Sequence, residues 1–308
     1  MAFFATFNQI LILFLVMMIG YGAKKLNYMD NALNKGLSNL VMHVTLPAMI
    51  IKSMQFEFSK ELFFTSIKVI LLSLVVYAIV IGISFCFPRM MRIGGKKRDV
   101  FQFILIFSNV GYMGYPIVDA IYGEIGVFYT ALYNIPFNFI MLTLGVYVLR
   151  RSSEGIKEKV DYKKVLLNPG ILAVAVGFSF FLLSIKLPLP VYETLDILGS
   201  TTTPLAMLVI GSFLADMSLG DVFKEEKILW LAMARLVVLP GMVMGILYFV
   251  GVRGLMLGVP VVITAMPAAA NTAVLATLYE SDHYLASKGI FLTTALSLIT
   301  IPLLTFII

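Results

Sequence analysis

Ten long apolar runs, separated by short polar stretches, succeed one another along this 308-residue chain. They fall at about residues 7–23, 36–54, 62–88, 100–121, 124–149, 169–186, 191–214, 228–249, 254–278 and 284–307. A helix needs about 20 apolar residues to cross the hydrocarbon layer of a bilayer, so each run predicts one transmembrane span. Composition agrees. The chain is 60% hydrophobic and 13% charged, about half the charge of an ordinary soluble domain. That excludes a soluble enzyme, a disordered chain and a secreted disulfide scaffold. The single Cys86 has no intramolecular partner for a disulfide. No basic residue precedes the first run and no small-residue cleavage site follows it. That run therefore reads as a first span and not as a removed signal peptide.

The basic residues set the orientation. The loops after runs 1, 3, 5, 7 and 9 hold 17 of the 23 Lys and Arg, with clusters such as Arg89, Arg92, Lys96, Lys97 and Arg98. Positive loops stay in the cytoplasm, so both termini are expected outside the plasma membrane. The net charge of +6 and pI near 9.2 then reflect loops facing anionic lipid. Nucleic acid is not an expected partner.

Five runs lie on each side of the polar stretch Arg150 to Asn168. An odd number per half gives the halves opposite orientations, as in the inverted repeats of secondary transporters. The predicted organisation is a first five-helix repeat over 1–150, a cytoplasmic linker over 151–168 and a second, inverted repeat over 169–308. Two echoes support it. Pro47-Ala48-Met49-Ile50 in run 2 matches Pro204-Leu205-Ala206-Met207 in run 7, and Gly126-Val127-Phe128-Tyr129-Thr130 in run 5 matches Gly289-Ile290-Phe291-Leu292-Thr293 in run 10.

Runs 4 and 9, the fourth of each half, carry helix-breaking residues. Run 4 contains Asn109-Val110-Gly111-Tyr112-Met113-Gly114-Tyr115-Pro116, and run 9 contains Met266-Pro267-Ala268-Ala269-Ala270-Asn271-Thr272. Glycine and proline do not hold a regular helix, and non-helical backbone is tolerated at membrane depth only where it is buried in protein or lines a cavity. Paired interruptions of this kind point to a transport site. Half-helix N-termini meeting there would suit an anion. Asn109 and Asn271 would add amide donors or satisfy the freed backbone. Gly111, Gly114 and Pro116 are expected on one side of the crossover and Pro267, Ala268 and Asn271 on the other.

These residues resemble the auxin efflux carrier family, the bacterial permeases related to the plant PIN-FORMED carriers. The resemblance spans essentially the whole chain. It rests on Asn109-x-x-x-Met113-Gly114-x-Pro116 and on Ala265-Met266-Pro267 with Ala276 and Tyr279. It implies an all-α membrane protein of ten helices in an inverted 5 + 5 repeat, with helices 4 and 9 broken and crossing, an architecture like that of bile-acid symporters and sodium–proton antiporters. It also implies an elevator-type movement, an organic anion such as malate or an auxin-like acid at the crossover, and a homodimer. By the same resemblance Asn109 lies at the substrate site and Asn134 falls near a functional glutamine. Spans 2 and 7 become candidates for scaffold or dimer contacts. The chain departs from the plant carriers in its short linker and in Phe64, which stands where they carry an acidic residue four positions before a lysine, here Lys68.

Other polar residues inside the runs are few. Lys68, and Arg235 in the equivalent run of the second half, are expected to reach an interface with their charged heads; a role for either in attracting anions is the alternative. His43 is a candidate pH-sensitive group. Thr201, Thr202 and Thr203 before Pro204 suit a milder break. No Asp or Glu lies mid-run, which disfavours a carboxylate-based ion exchanger. With only His43 and His283 no His-rich metal site forms, and no hydrolase, protease or nucleotide-binding motif occurs. No cofactor is expected; the coupling ion is a proton or sodium. The sequence therefore predicts a carrier of a small organic anion, with a sodium-coupled symporter or a non-transporting membrane sensor as alternatives, and not an enzyme.

Overall fold

The computed structural model describes residues 2–152, 167–215 and 226–307, with side chains from Phe7 onward. Most of the expected linker, including Lys157, Lys159, Lys163 and Lys164, lies outside the described residues, as does Lys224. The described chain is helical, and its sole departure toward a strand is one isolated antiparallel bridge. The helices are α1 (Ala2–Lys25), α2 (residues 31–53), α3 (Lys60–Met90), α4 (Gly95–Ile106), α5 (residues 110–122), α6 (residues 124–150), α7 (Pro169–Leu182), α8 (Leu189–Ala215), α9 (Glu226–Phe249), α10 (Leu255–Ala265), α11 (Thr272–Leu278) and α12 (His283–Thr305). Gly123 separates α5 from α6 with φ +63°, a conformation that a Cβ would strain.

Six helical stretches among the described residues are long and apolar enough to cross a membrane: Phe7–Lys25, Lys60–Met90, Val110–Arg150, Leu189–Ala215, Glu226–Phe249 and His283–Thr305. Their outer faces are apolar. Leu11, Ile12, Leu15, Met18 and Ile19 on α1 and Leu71, Leu74 and Val75 on α3 are all exposed. Apolar faces of this kind would drive association in water; in lipid they are the required surface. The chain is a polytopic helical membrane protein.

Several helices are widened by a π-turn, and the sequence explains three of them. Val41–Thr45, Val110–Gly114 and Ala234–Val238 each run directly into a residue followed by proline, at Pro47, Pro116 and Pro240. Proline has no N–H to offer the carbonyl four residues back, and its ring crowds that carbonyl. One wider turn relieves the clash.

The fold divides into two compact units, each drawn from separate stretches of chain. Among the described residues, the first takes residues 2–71, 111–135 and 167–215, and the second takes 72–110, 136–152 and 226–307. Each sequence half thus contributes to both units.

In the first unit α1 lies against the C-terminal half of α8 at backbone contact. A Cβ on Gly20 would stand 2.2 Å from the Leu208 carbonyl oxygen, and one on Gly211 would stand 1.8 Å from that of Met17. Small residues allow this approach, and dispersion between the backbones rewards it. Buried Asn34 of α2 donates to the Ser212 hydroxyl of α8 at 2.7 Å. At the other end of α2, Lys52 bridges Glu124 at 2.5 Å and Asp196 at 2.9 Å, beside a cavity of about 120 Å³ that Asp119 also lines. In the loops nearby, Lys186 donates to Glu57 at 2.6 Å and holds that carboxyl below its ordinary value. Both groups are highly exposed, so the pair adds little stability.

The second unit packs its core around α4 and α12. Phe103 and Phe107 stack at 4.5 Å against the glycine at 145 of α6. Asp99, fully buried in α4 just past its first turn, accepts from the guanidinium of Arg151, which also donates to Gln102 at 2.6 Å. A buried carboxylate is tolerated because a cation with hydrogen bonds replaces its water.

Candidate functional site: a paired break in the second unit

Helix α4 stops at Ile106, and Phe107 takes an extended conformation, φ −104° and ψ +114°. Helix α10 stops at Ala265, and Met266 is extended as well, φ −63° and ψ +148°. Met266 precedes Pro267, and the proline ring excludes the helical conformation from the residue before it. The two freed segments pair antiparallel. The Asn109 N–H donates to the Pro267 carbonyl at 2.8 Å, the Ala269 N–H donates to the Phe107 carbonyl at 3.0 Å, and Ser108 stands opposite Ala268. Each break therefore supplies the other's missing partners. This meets the demand that backbone in an apolar layer be satisfied from within the protein.

Two carbonyls still lose their helical donors. In an unbroken α4 the Leu105 carbonyl would take the Asn109 N–H, which here goes to Pro267. The Met266 carbonyl faces a backbone that has left the helix. Both accept from Arg235 of α9, at 2.8 Å from Nη1 and 3.2 Å from Nε, and a third donation goes to the Ser108 hydroxyl. Arg235 is fully buried. The expectation that its head reaches an interface is thus overturned. Guanidinium presents five N–H donors in a rigid fork, which is what two carbonyls and a hydroxyl around one point require. The remaining gap is closed from α12. Thr293 accepts the Ala268 N–H at 3.1 Å and donates to the Gly289 carbonyl at 2.7 Å.

Around this clamp sit four of the expected site residues. Pro267 and Ala268 form the bridge itself, and both are buried. Asn109 is 5% exposed, with its N–H in the bridge. Asn271 is exposed at the start of α11, its amide 3.9 Å from the Met141 sulfur of α6. The paired break is thus held by Arg235 and Thr293, with the exposed Asn271 amide and a buried positive charge beside it. That charge and those donors favour an anion or a polar oxygen-rich solute.

The other expected residues belong to the first unit. Gly114 and Pro116 are buried in the π-turn and first turn of α5, and Gly111 approaches Met42 of α2 at 3.4 Å for an added Cβ. Asn134 of α6 is half-buried and hydrogen-bonded to the fully buried Tyr115. His43 is exposed, its Nδ1 3.0 Å from the Asn39 carbonyl of its own helix. Lys68 is exposed on α3.

Sequence reasoning missed Ser108 and Thr293 and misread Arg235. The available signal was an arginine seven residues into an apolar run, too deep for an idle charge. Thr293 was visible only as the last residue of a repeat echo.

Helical spans with apolar outer faces, and a buried break in two helices of the second unit, define a polytopic membrane protein. Comparison with known proteins makes this specific. The profile of the membrane transport protein family matches residues 5–305, so the chain belongs to that family, which comprises the auxin efflux carrier-like proteins. It is 27% identical to an uncharacterized transporter of Methanocaldococcus jannaschii, over 96% of each chain. A putative malonate transporter of Rhizobium meliloti is 25% identical, with 88% of this chain and 86% of the relative aligned. The lysosomal cholesterol signaling protein of Mus musculus is 26% identical over 67% of this chain and 25% of its own length.

Proposed function

We propose that this protein is a secondary carrier of small organic anions, with the substrate held at the paired break of the second unit. The observation that carries the reading is the antiparallel pairing of Asn109 with Pro267 and of Phe107 with Ala269, backed by the buried Arg235. Such an arrangement places a fully buried positive charge directly behind two paired breaks. A carboxylate finds an exposed amide donor at Asn271, next to the segment that Asn109 anchors, and a favourable potential from Arg235. The relative described as a putative malonate transporter makes a dicarboxylate the first substrate class to try.

On this reading the helices make ten passes in an inverted 5 + 5 repeat, with α4 and α5 together forming the fourth and α10 and α11 the ninth. The basic loops keep to the cytoplasm of the plasma membrane, and both termini lie outside. The unit that holds the break is the moving part of an elevator-type cycle, in a carrier that works as a homodimer with a proton or sodium as coupling ion. The test is counterflow of labelled malonate in proteoliposomes. Saturable exchange in the wild type, lost in Asn109→Ala with unchanged thermal unfolding, supports the reading. Exchange that survives Asn109→Ala moves the substrate elsewhere.

A second reading is favoured by one relative, the signaling protein of Mus musculus. A membrane sensor would bind a metabolite at the same site without moving it. Saturable binding with no counterflow would select it.

A further inference from the structure

A cavity of about 260 Å³ opens in the second unit, away from the paired break. Three cations line it: Arg92 before α4, Lys97 in the first turn of α4 and Lys227 at the first described turn of α9. Its floor is apolar and buried, made by Ile93, Phe101, Ile228 and Leu285. No carboxylate lines it among the described residues. Among the described residues, the carboxylates nearest in sequence to the lining are engaged otherwise. Asp282 caps α12 at the Leu285 N–H, 2.9 Å away, Glu226 accepts from the Trp230 indole at 3.2 Å, and Asp99 is taken by Arg151.

From this cavity we infer a binding site for a phosphate-bearing anion. Three like charges around one hollow repel each other, and an apolar floor strengthens that repulsion by lowering the local dielectric. Any anion relieves it: a free phosphate or phosphate monoester with nearly two charges relieves it most, and the single charge of a phosphodiester headgroup about half as much. Phosphate carries about −1.5 to −2 at neutral pH. The backbone adds donors. Gly94 precedes α4 without a side-chain cap, and an added Cβ at Gly94 or Gly95 would meet nothing within 4 Å. The first-turn N–H groups of α4 have no side-chain cap, and Gly94 of that N-terminus lines the cavity with Lys97. The volume is slightly below the ~300–1,000 Å³ of ordinary small-molecule sites. It fits a headgroup or a small phosphate, not a large nucleotide. On the proposed orientation the cavity faces the cytoplasm, where both an anionic lipid headgroup and a free phosphate are at hand.

The test uses the full chain. In detergent, inorganic phosphate is titrated against chloride at equal ionic strength while thermal unfolding is followed. In parallel, native mass spectrometry counts the lipids retained from an equimolar mixture of phosphatidylglycerol and phosphatidylcholine. The expected result is a phosphate-dependent rise in apparent Tm, or at least tenfold preference for phosphatidylglycerol, lost in the triple variant Arg92→Gln/Lys97→Gln/Lys227→Gln. Stabilisation by phosphate without lipid preference assigns the site to soluble phosphates; lipid preference without phosphate stabilisation assigns it to a headgroup. The control variant Lys24→Gln/Lys25→Gln/Lys35→Gln loses the same charge in the first unit. If it reduces binding as much as the triple variant, or if wild type shows neither signal, the inference is overturned. If the triple variant does not fold, Lys227→Gln alone is expected to weaken binding several-fold, and unchanged binding there overturns the site. Asn109→Ala is expected to leave both signals intact, so this site and the transport site fail or stand separately.

Discussion

Arg235 shows how a single side chain can hold two helices broken. It takes the carbonyl at the end of α4, the carbonyl at the end of α10 and the hydroxyl of Ser108. Replacing it with leucine would leave two buried carbonyls without their donor, at about 1–3 kcal/mol each. Arg235→Leu is therefore expected to lower the apparent Tm strongly and to abolish substrate binding. Arg235→Lys keeps the charge but only a point-like head, so it should fold at reduced stability and bind weakly. Thermal unfolding with and without malonate reads both effects. An Arg235→Leu protein as stable as wild type would remove the clamp from the account. Legibility in the sequence was uneven at this scale. Asn109, Pro267 and Ala268 were readable because proline, glycine and asparagine inside an apolar run have few innocent uses. The role of Arg235 was not, since a deep arginine has the same sequence context whether it turns outward to water or inward to a carbonyl. Only the tertiary positions of Leu105 and Met266 decide that.

At the scale of elements, the breaks and the close packing follow different rules. The three π-turns that run into proline and the extended Met266 follow from proline chemistry and could be read locally. The backbone contact between α1 and α8 could not, because glycine is common throughout the chain and nothing local marks which glycines touch a neighbour. Gly211 and Gly22 give a direct comparison. A Cβ at Gly211 would overlap the Met17 carbonyl at 1.8 Å, whereas one at Gly22 would meet nothing within 4 Å. Gly211→Ala is expected to force the helices apart and cost about 1–3 kcal/mol. Gly22→Ala should be neutral or stabilise α1 by up to about 1 kcal/mol. Parallel thermal unfolding of the two variants checks this; equal effects would show that the contact carries no weight.

For the whole molecule, the sequence was informative about class and less so about assembly. Apolar runs and basic loops were sufficient to indicate a polytopic membrane protein, because the bilayer imposes length and composition directly on sequence. The division into two units was hidden. Each unit gathers three separate stretches, and nothing in local pattern marks residues 71–72, inside one apolar run, as a boundary. Orientation remains a proposal from charge. A cysteine-bearing tag at the N-terminus, in a Cys86→Ser background, is expected to react with an impermeant maleimide on intact cells. Reaction only after permeabilisation would invert the topology and move the basic cavity to the outer face.

The bridge between residues 107–109 and 267–269 also constrains how such a chain can change by descent. Restoring a regular helix at either break would withdraw the donor and acceptor that the other break relies on, and would leave Arg235 with one carbonyl fewer to hold. Mutations that mend one interruption are therefore penalised unless the second is mended in the same lineage. The two irregular segments are bound to be inherited together or lost together, even though some 150 residues of chain separate them.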